Sequence, residues 1–176
     1  GMGIYSNASA VESSGNIFTE QNAYSVYLSS SLPSGSEHNF ENDQFISTPS
    51  EDFGGNTIPI YCFDAGTVNV SGGSFTDVRS SYAIYMSSCS SEIENTSFNQ
   101  IDSYSVYGFN GDHDISDVTM TSVNETTSYY DAFSFTATEP MNLSITDTTI
   151  TDGVGGGMYA YSTDATNAPL NVNISG

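Results

Sequence analysis

Apolar and polar positions along this chain recur in short alternating blocks, the pattern of strands half-buried in a sheet, and no stretch shows the spacing of an amphipathic helix. One block sets an aliphatic residue before an aromatic one: Gly3-Ile4-Tyr5, Ser25-Val26-Tyr27, Pro59-Ile60-Tyr61, Ala83-Ile84-Tyr85, Ser105-Val106-Tyr107, Asp131-Ala132-Phe133 and Gly157-Met158-Tyr159. A second block follows each of the first six and places Asn, Asp or Gly between two apolar residues. It reads Phe40, Asn42, Phe45; Val70, Gly72, Phe75; Ile93, Asn95, Phe98; Ile115, Asp117, Met120; and Ile145, Asp147, Ile150, with Ser13, Gly15, Phe18 as a weaker copy. Ile84 to Phe98 spans 14 residues and Phe98 to Val106 spans 8, which makes an uninterrupted unit of 22. Longer units carry insertions near Ser31–Glu37, Pro49–Gly55 and Thr136–Pro140, where Pro, Gly and Ser gather as loops require. A repeat of this length, built from two or three short strands, predicts an all-β fold. We expect a parallel β-helix of about seven coils, one domain over residues 1–176.

The Asn/Asp/Gly column has a direct meaning in that fold. A tight corner between two strands of one coil needs a residue with positive φ, and these types tolerate it best. Parallel strands joined by crossovers turn right-handed, so the helix is expected to be right-handed. Alternation then predicts two inward columns, Ile4, Val26, Ile60, Ile84, Val106, Met158 and Phe18, Phe45, Phe75, Phe98, Met120. The aromatic positions Tyr5, Tyr27, Tyr61, Tyr85, Tyr107, Phe133 and Tyr159 fall outward, as a stacked ridge and candidate binding surface for glycans or a neighbouring copy.

The coil pattern resembles the right-handed parallel β-helix repeats of pectate-lyase-like proteins over nearly the whole chain. Gly155-Gly156-Gly157-Met158-Tyr159 and Gly1-Met2-Gly3-Ile4-Tyr5 resemble the Gly-Gly-Ala-Ile-type motif of polymorphic outer-membrane protein passengers and adhesin-like surface proteins. That second resemblance implies a surface-displayed, non-enzymatic stalk.

Charge narrows the partners. One basic residue, Arg79, stands against 21 acidic ones, for a formal net charge of −20, so nucleic acid and anionic membranes are repelled. Cations that would hold polyuronates or sulfated sugars are equally scarce. A coat of Ser, Thr and Asn with no Lys suits an extracellular or cell-surface protein. No stretch approaches a membrane span, and the first residues contain no leader-like basic and apolar regions. The last coil stops at a corner position and the first opens on a strand without a cap. We therefore expect a segment of a longer repetitive protein, or a subunit that stacks end to end. In the predicted register Cys62 and Cys89 lie on neighbouring coils but three strand positions apart, about 10 Å along a strand, beyond disulfide reach. They are expected as a buried core residue and a turn residue.

Candidate chemistry is sparse. Asp112, His113, Asp114 and Asp117 could form an acid/base or metal cluster, but the same residues read as a polar turn with Asp117 at the corner. The loops Glu41-Asn42-Asp43-Gln44 and Glu51-Asp52-Phe53 carry oxygen ligands suited to calcium without EF-hand or nonapeptide spacing. Asn-x-Ser/Thr sequons occur at Asn7, Asn69, Asn95, Asn124, Asn142 and Asn173. Ser74-Phe75-Thr76, Ser97-Phe98-Asn99, Thr119-Met120-Thr121 and Thr149-Ile150-Thr151 put two hydroxyl-rich ranks on one outer face, which resembles the arrays of ice-binding β-solenoids. The reading is a non-catalytic extracellular structural or adhesive β-helix with no catalytic residue, metal site or required cofactor. The alternatives are a polysaccharide-active enzyme of the β-helix superfamily and an ice-binding solenoid.

Overall fold

A computed structural model describes residues 3–7, 9–19, 24–29, 36–46, 58–79, 82–123, 130–153 and 155–176. The first coil contributes β1 (Ile4–Ser6), β2 (Glu12–Ser14) and β3 (Ile17–Thr19), and the second β4 (Tyr24–Leu28), β5 (Glu37–Glu41) and β6 (Gln44–Ile46). In the third and fourth coils one long strand bends across two faces: β7 (Ile58–Ser71) is followed by β8 (Ser74–Val78), and β9 (Tyr82–Glu94) by β10 (Ser97–Ile101). Then come β11 (Tyr104–Phe109), β12 (His113–Ser116), β13 (Thr119–Val123), β14 (Asp131–Ala137), β15 (Met141–Thr146), β16 (Thr149–Thr151), β17 (Gly156–Ser162) and β18 (Leu170–Ser175). Every described pairing is parallel, and each strand pairs with its counterpart one coil away. The result is a parallel β-solenoid of about six turns with three faces. β1, β4, β7, β9, β11, β14 and β17 run along the first, and β3, β6, β8, β10, β13 and β16 along the third. Between them lies the face made by β2, β5, the second halves of β7 and β9, β12, β15 and β18. The insertions expected near 31–37 and 49–55 fall largely or wholly outside the described residues.

Register produces the inward columns. Ile4, Val26, Ile60, Ile84 and Val106 pair in sequence, as do Phe18, Phe45, Phe75, Phe98 and Met120. The four phenylalanine rings lie parallel, each centroid 4.8 Å from the next. Strand spacing alone brings identical side chains to this distance. Burial of Phe45, Phe75 and Phe98 contributes about 1.5–3 kcal/mol each, and Phe18 is partly buried. One position departs from expectation. Phe133 pairs with Val106 and Met158 and is buried, while Ser134 stands at the outward position between Tyr107 and Tyr159. In Asp131–Ala137, alternation buries Phe133, Phe135 and Ala137, so the aliphatic-aromatic pattern is shifted by one residue there.

Corners are set by left-handed residues. Gly15, Asn42, Gly72, Asn95, Asp117 and Asp147, all in the sequence-predicted column, have φ between 46° and 66°. Each donates its backbone N–H to the carbonyl of the residue preceding the next coil's corner, as in Asn42 to Ser71 at 2.8 Å and Asp117 to Thr146 at 3.2 Å. The ladder therefore runs through the turn without a break. Two further corner columns share the conformation, Asp64, Ser88, Asn110 and Asp77, Gln100, Ser122, Asp152. Asn110 also caps the turn at 138–140, its Oδ1 accepting the Thr138 N–H at 2.7 Å and the Glu139 N–H at 3.2 Å.

Cys62 and Cys89 form a disulfide, contrary to the sequence reading, with their Cα atoms 6.3 Å apart. The distance argument assumed a straight strand. β7 and β9 instead bend at this corner, where Asp64, Gly66 and Ser88 have positive φ and the pairing shifts between Phe63 and Gly66. The bend brings both cysteines into the core, each at most 1% exposed, and Cys89 follows directly on the corner residue Ser88.

Candidate functional site

Alternation turns the residue after each inward aliphatic toward solvent, and on the first face that residue is tyrosine. Tyr5, Tyr27, Tyr61, Tyr85 and Tyr107 stack in one ladder, with centroids 5.3, 5.1, 4.9 and 5.3 Å apart and planes within 12° of parallel. Tyr107 has no aromatic successor, because Ser134 occupies the next place, and Tyr159 lies against Tyr161 instead at 6.2 Å. The ridge is therefore about 20 Å of continuous ladder, not the full solenoid.

A second rank runs beside it. Tyr24, Tyr82 and Tyr104 stand three residues before ladder members and meet them edge to face at 5.1, 5.0 and 5.6 Å. Ala83 and Ile84 are both buried between Tyr82 and Tyr85, so alternation breaks and both rings reach the outer surface. Ile58 takes this rank's place in the third coil, and Tyr130 closes the array against Tyr104 at 5.0 Å. The recurrent Tyr-x-x-Tyr at 24, 82 and 104 was the available signal for this rank. Burial and then neighbouring phenols push Tyr61 and Tyr82 above the ordinary phenol range, and burial raises Tyr85 and Tyr104 likewise. The rings cover one another's faces, so the array presents ring edges and hydroxyls outward.

The neighbouring face is polar and acidic. Glu12, Glu37, Glu41, Glu92, Glu94, Asp112 and Asp114 are all exposed on it. Side-chain ladders cross its coils: Asn69 donates to Asn39 at 2.8 Å, and Asn171 to Asn142 at 3.0 Å. An open furrow of about 430 Å³ lies here, between walls that include Ser90, Asp112, Asn142 and Glu92, Asp114, Asn173. Asp112 binds the next coil by accepting the Asn142 backbone N–H at 2.7 Å and its amide at 3.0 Å.

The Asp112–Asp117 cluster does not converge. Asp114 points out, Asp117 is a corner with φ 52°, and His113 points into the core. The His113 Nε2–H donates to the Asn110 carbonyl at 3.2 Å, so Nδ1 accepts from the Ser91 hydroxyl at 2.9 Å. This pairing has the composition of a nucleophile and its base, and Ser91 is only 2% exposed, at the floor of the furrow. Burial lowers the His113 pKa to about 4.

The two candidate calcium loops end differently. Glu41 and Gln44 are exposed, Asn42 forms a corner, and Asp43 is fully buried with its Oδ1 accepting the Asn16 N–H at 2.7 Å. The loop at 51–53 lies outside the described residues. Among the described residues, no three His, Cys, Asp or Glu side chains are grouped to hold a metal ion, and no helix is long and apolar enough to cross a membrane. Of the sequons, Asn69 and Asn142 are engaged in the ladders, Asn95 is an exposed corner, and Asn124 is not described.

The third face is uncharged along both outward ranks. Ser74, Ser97, Thr119 and Thr149 align in one, and Thr76, Asn99, Thr121 and Thr151 in the other. Gln44, Ile46 and Ile17 interrupt both ranks toward the first coil.

These coils, corners and faces define a parallel β-solenoid. Comparison with protein-family models, with curated proteins and with solved structures returns no match.

Proposed function

We propose that the chain is a non-catalytic structural or adhesive β-solenoid segment that works outside the cell. The observation carrying this is the tyrosine array, five stacked rings with their edges outward. Val172 and Ile174 are 42% and 62% exposed, whereas their partners one coil earlier, Leu143 and Ile145, are 1% and 6% exposed. A second copy docked against this apolar edge of β18 would bury both side chains. A disulfide supports an oxidising compartment, and the excess of acidic residues supports solubility without nucleic-acid or membrane contact. The tyrosine array supports an adhesive contact made through hydroxyls and ring edges. Analytical ultracentrifugation over a range of concentrations is expected to show association that Val172→Lys with Ile174→Lys removes. Equal sedimentation of both proteins as monomers, together with unchanged attachment of Tyr85→Ala/Tyr107→Ala to glycan and cell-surface arrays, would sink the proposal.

The register of the third face favours one second reading, ice binding, because its hydroxyl ranks repeat at strand spacing without a charge. Thermal hysteresis that Thr121→Lys abolishes would establish it, and none at high protein concentration would remove it.

A further inference from the structure

The tyrosine array has a redox chemistry that goes beyond the structural reading and does not depend on it. The chain has no Trp, and its two cysteines are joined, so tyrosine is the side chain on which a one-electron oxidising equivalent settles. Contacts run unbroken from Tyr5 through Tyr27, Tyr61, Tyr85 and Tyr107 to Tyr104 at 4.9–5.6 Å. Tyr5, at one end, is 55% exposed and open to an external oxidant, while the inner members are half-buried with their edges at the surface.

We propose that this face is a site of oxidative cross-linking, where a peroxide-driven one-electron oxidant joins tyrosines of neighbouring coils as dityrosine. Two phenols each lose an electron to the oxidant and a proton to water. The two phenoxyl radicals form a carbon–carbon bond between ortho positions, and the hydrogens at those carbons move to the oxygens and restore both phenols. Two hydrogens are lost per link, and one hydrogen peroxide is reduced to two waters. Register holds each ring beside its partner, so coupling within the molecule has a high effective concentration and outruns encounter between molecules. Each link would tie one coil covalently to the next along a face that the Cys62–Cys89 disulfide crosses only at one corner.

The test treats dilute intact protein with a haem peroxidase and hydrogen peroxide, and maps linked peptides by mass spectrometry alongside dityrosine fluorescence. Links within one molecule joining the segments of Tyr61, Tyr85 and Tyr107 are expected. Their yield should fall severalfold in Tyr85→Phe/Tyr107→Phe, which keeps the stacked rings but removes the oxidisable hydroxyls. Tyr159→Phe/Tyr161→Phe should leave those links unchanged. Coupling only at Tyr5, Tyr159 and Tyr161, coupling only between molecules, or no dityrosine in the wild-type protein would each overturn the proposal, whatever the variants do.

Discussion

His113 shows how one residue's surroundings decide its chemistry. Its ring packs against Phe135 at 4.9 Å, both nitrogens are bonded, and burial holds its pKa near 4 against an ordinary 6.5. His38 lies in the same inward column with Nε2 against the Ala65 carbonyl at 2.9 Å, and its pKa is also lowered by burial. A lowered histidine pKa means that the unfolded chain binds the proton more readily. The stabilising effect is therefore complete above about pH 6.5 and is lost as pH falls toward 4. For His113 the loss is about 1.4 kcal/mol per pH unit across that window, about 3 kcal/mol in all. Leu143 occupies His113's position one coil later, and Val68 occupies that of Ser91 one coil earlier. Ser91→Val with His113→Leu should flatten denaturant stability between pH 7 and 4.5, and an unchanged slope would contradict the assignment.

At the scale of elements, corners and their cross-link govern how strands meet. Asn95 has φ 47° and an exposed side chain, so Asn95→Gly is expected to be nearly neutral and Asn95→Ala to cost about 1 kcal/mol. Gly72 has the same backbone at φ 65°, but a Cβ there runs into the Asn42 amide oxygen. Gly72→Ala should thus cost more than Asn95→Ala, about 2 kcal/mol, and equal costs in urea unfolding would show that backbone conformation alone matters. The Cys62–Cys89 bond closes a sequence separation of 27, for which the unfolded-state constraint contributes about 3–4 kcal/mol. Cys62→Ala/Cys89→Ala should lose stability of that order while keeping its strand signal in circular dichroism. A loss below about 1 kcal/mol would place the bond's value elsewhere.

For the molecule as a whole, the charge is nearly all of one sign. With a formal net charge of −20, seven carboxylates share the polar face, and Arg79 is paired with Asp77 at the surface. Self-repulsion then opposes the compact state, and screening relieves it. Raising sodium chloride from low ionic strength to about 0.5 M should increase the thermal midpoint at pH 7, and a fall would show that attractive pairs dominate. The tyrosine ladder on the first face and the hydroxyl ranks on the third carry no charge, so any close approach by a second copy is least opposed there.

The repeat, the inward columns and one corner column could be read from the chain alone, because strand alternation and the need for Gly, Asn or Asp at positive φ are local rules that leave marks at fixed spacing. The same rules placed the tyrosines outward. Local spacing could not carry the bend at Asp64 and Ser88, which joins two cysteines that a straight strand would keep apart, or the one-residue shift that buries Phe133 and ends the ladder at Ser134. Alternation from Ile115 points His113 inward and Asp114 outward, and Tyr-x-x-Tyr marks the second rank, but spacing alone gives neither the bond to Ser91 nor the edge-to-face contacts of Tyr24, Tyr82 and Tyr104. Those outcomes depend on how neighbouring coils settle against one another. Sequence spacing measures position along a strand, whereas contact across a corner or between coils is decided by where the whole stack places it.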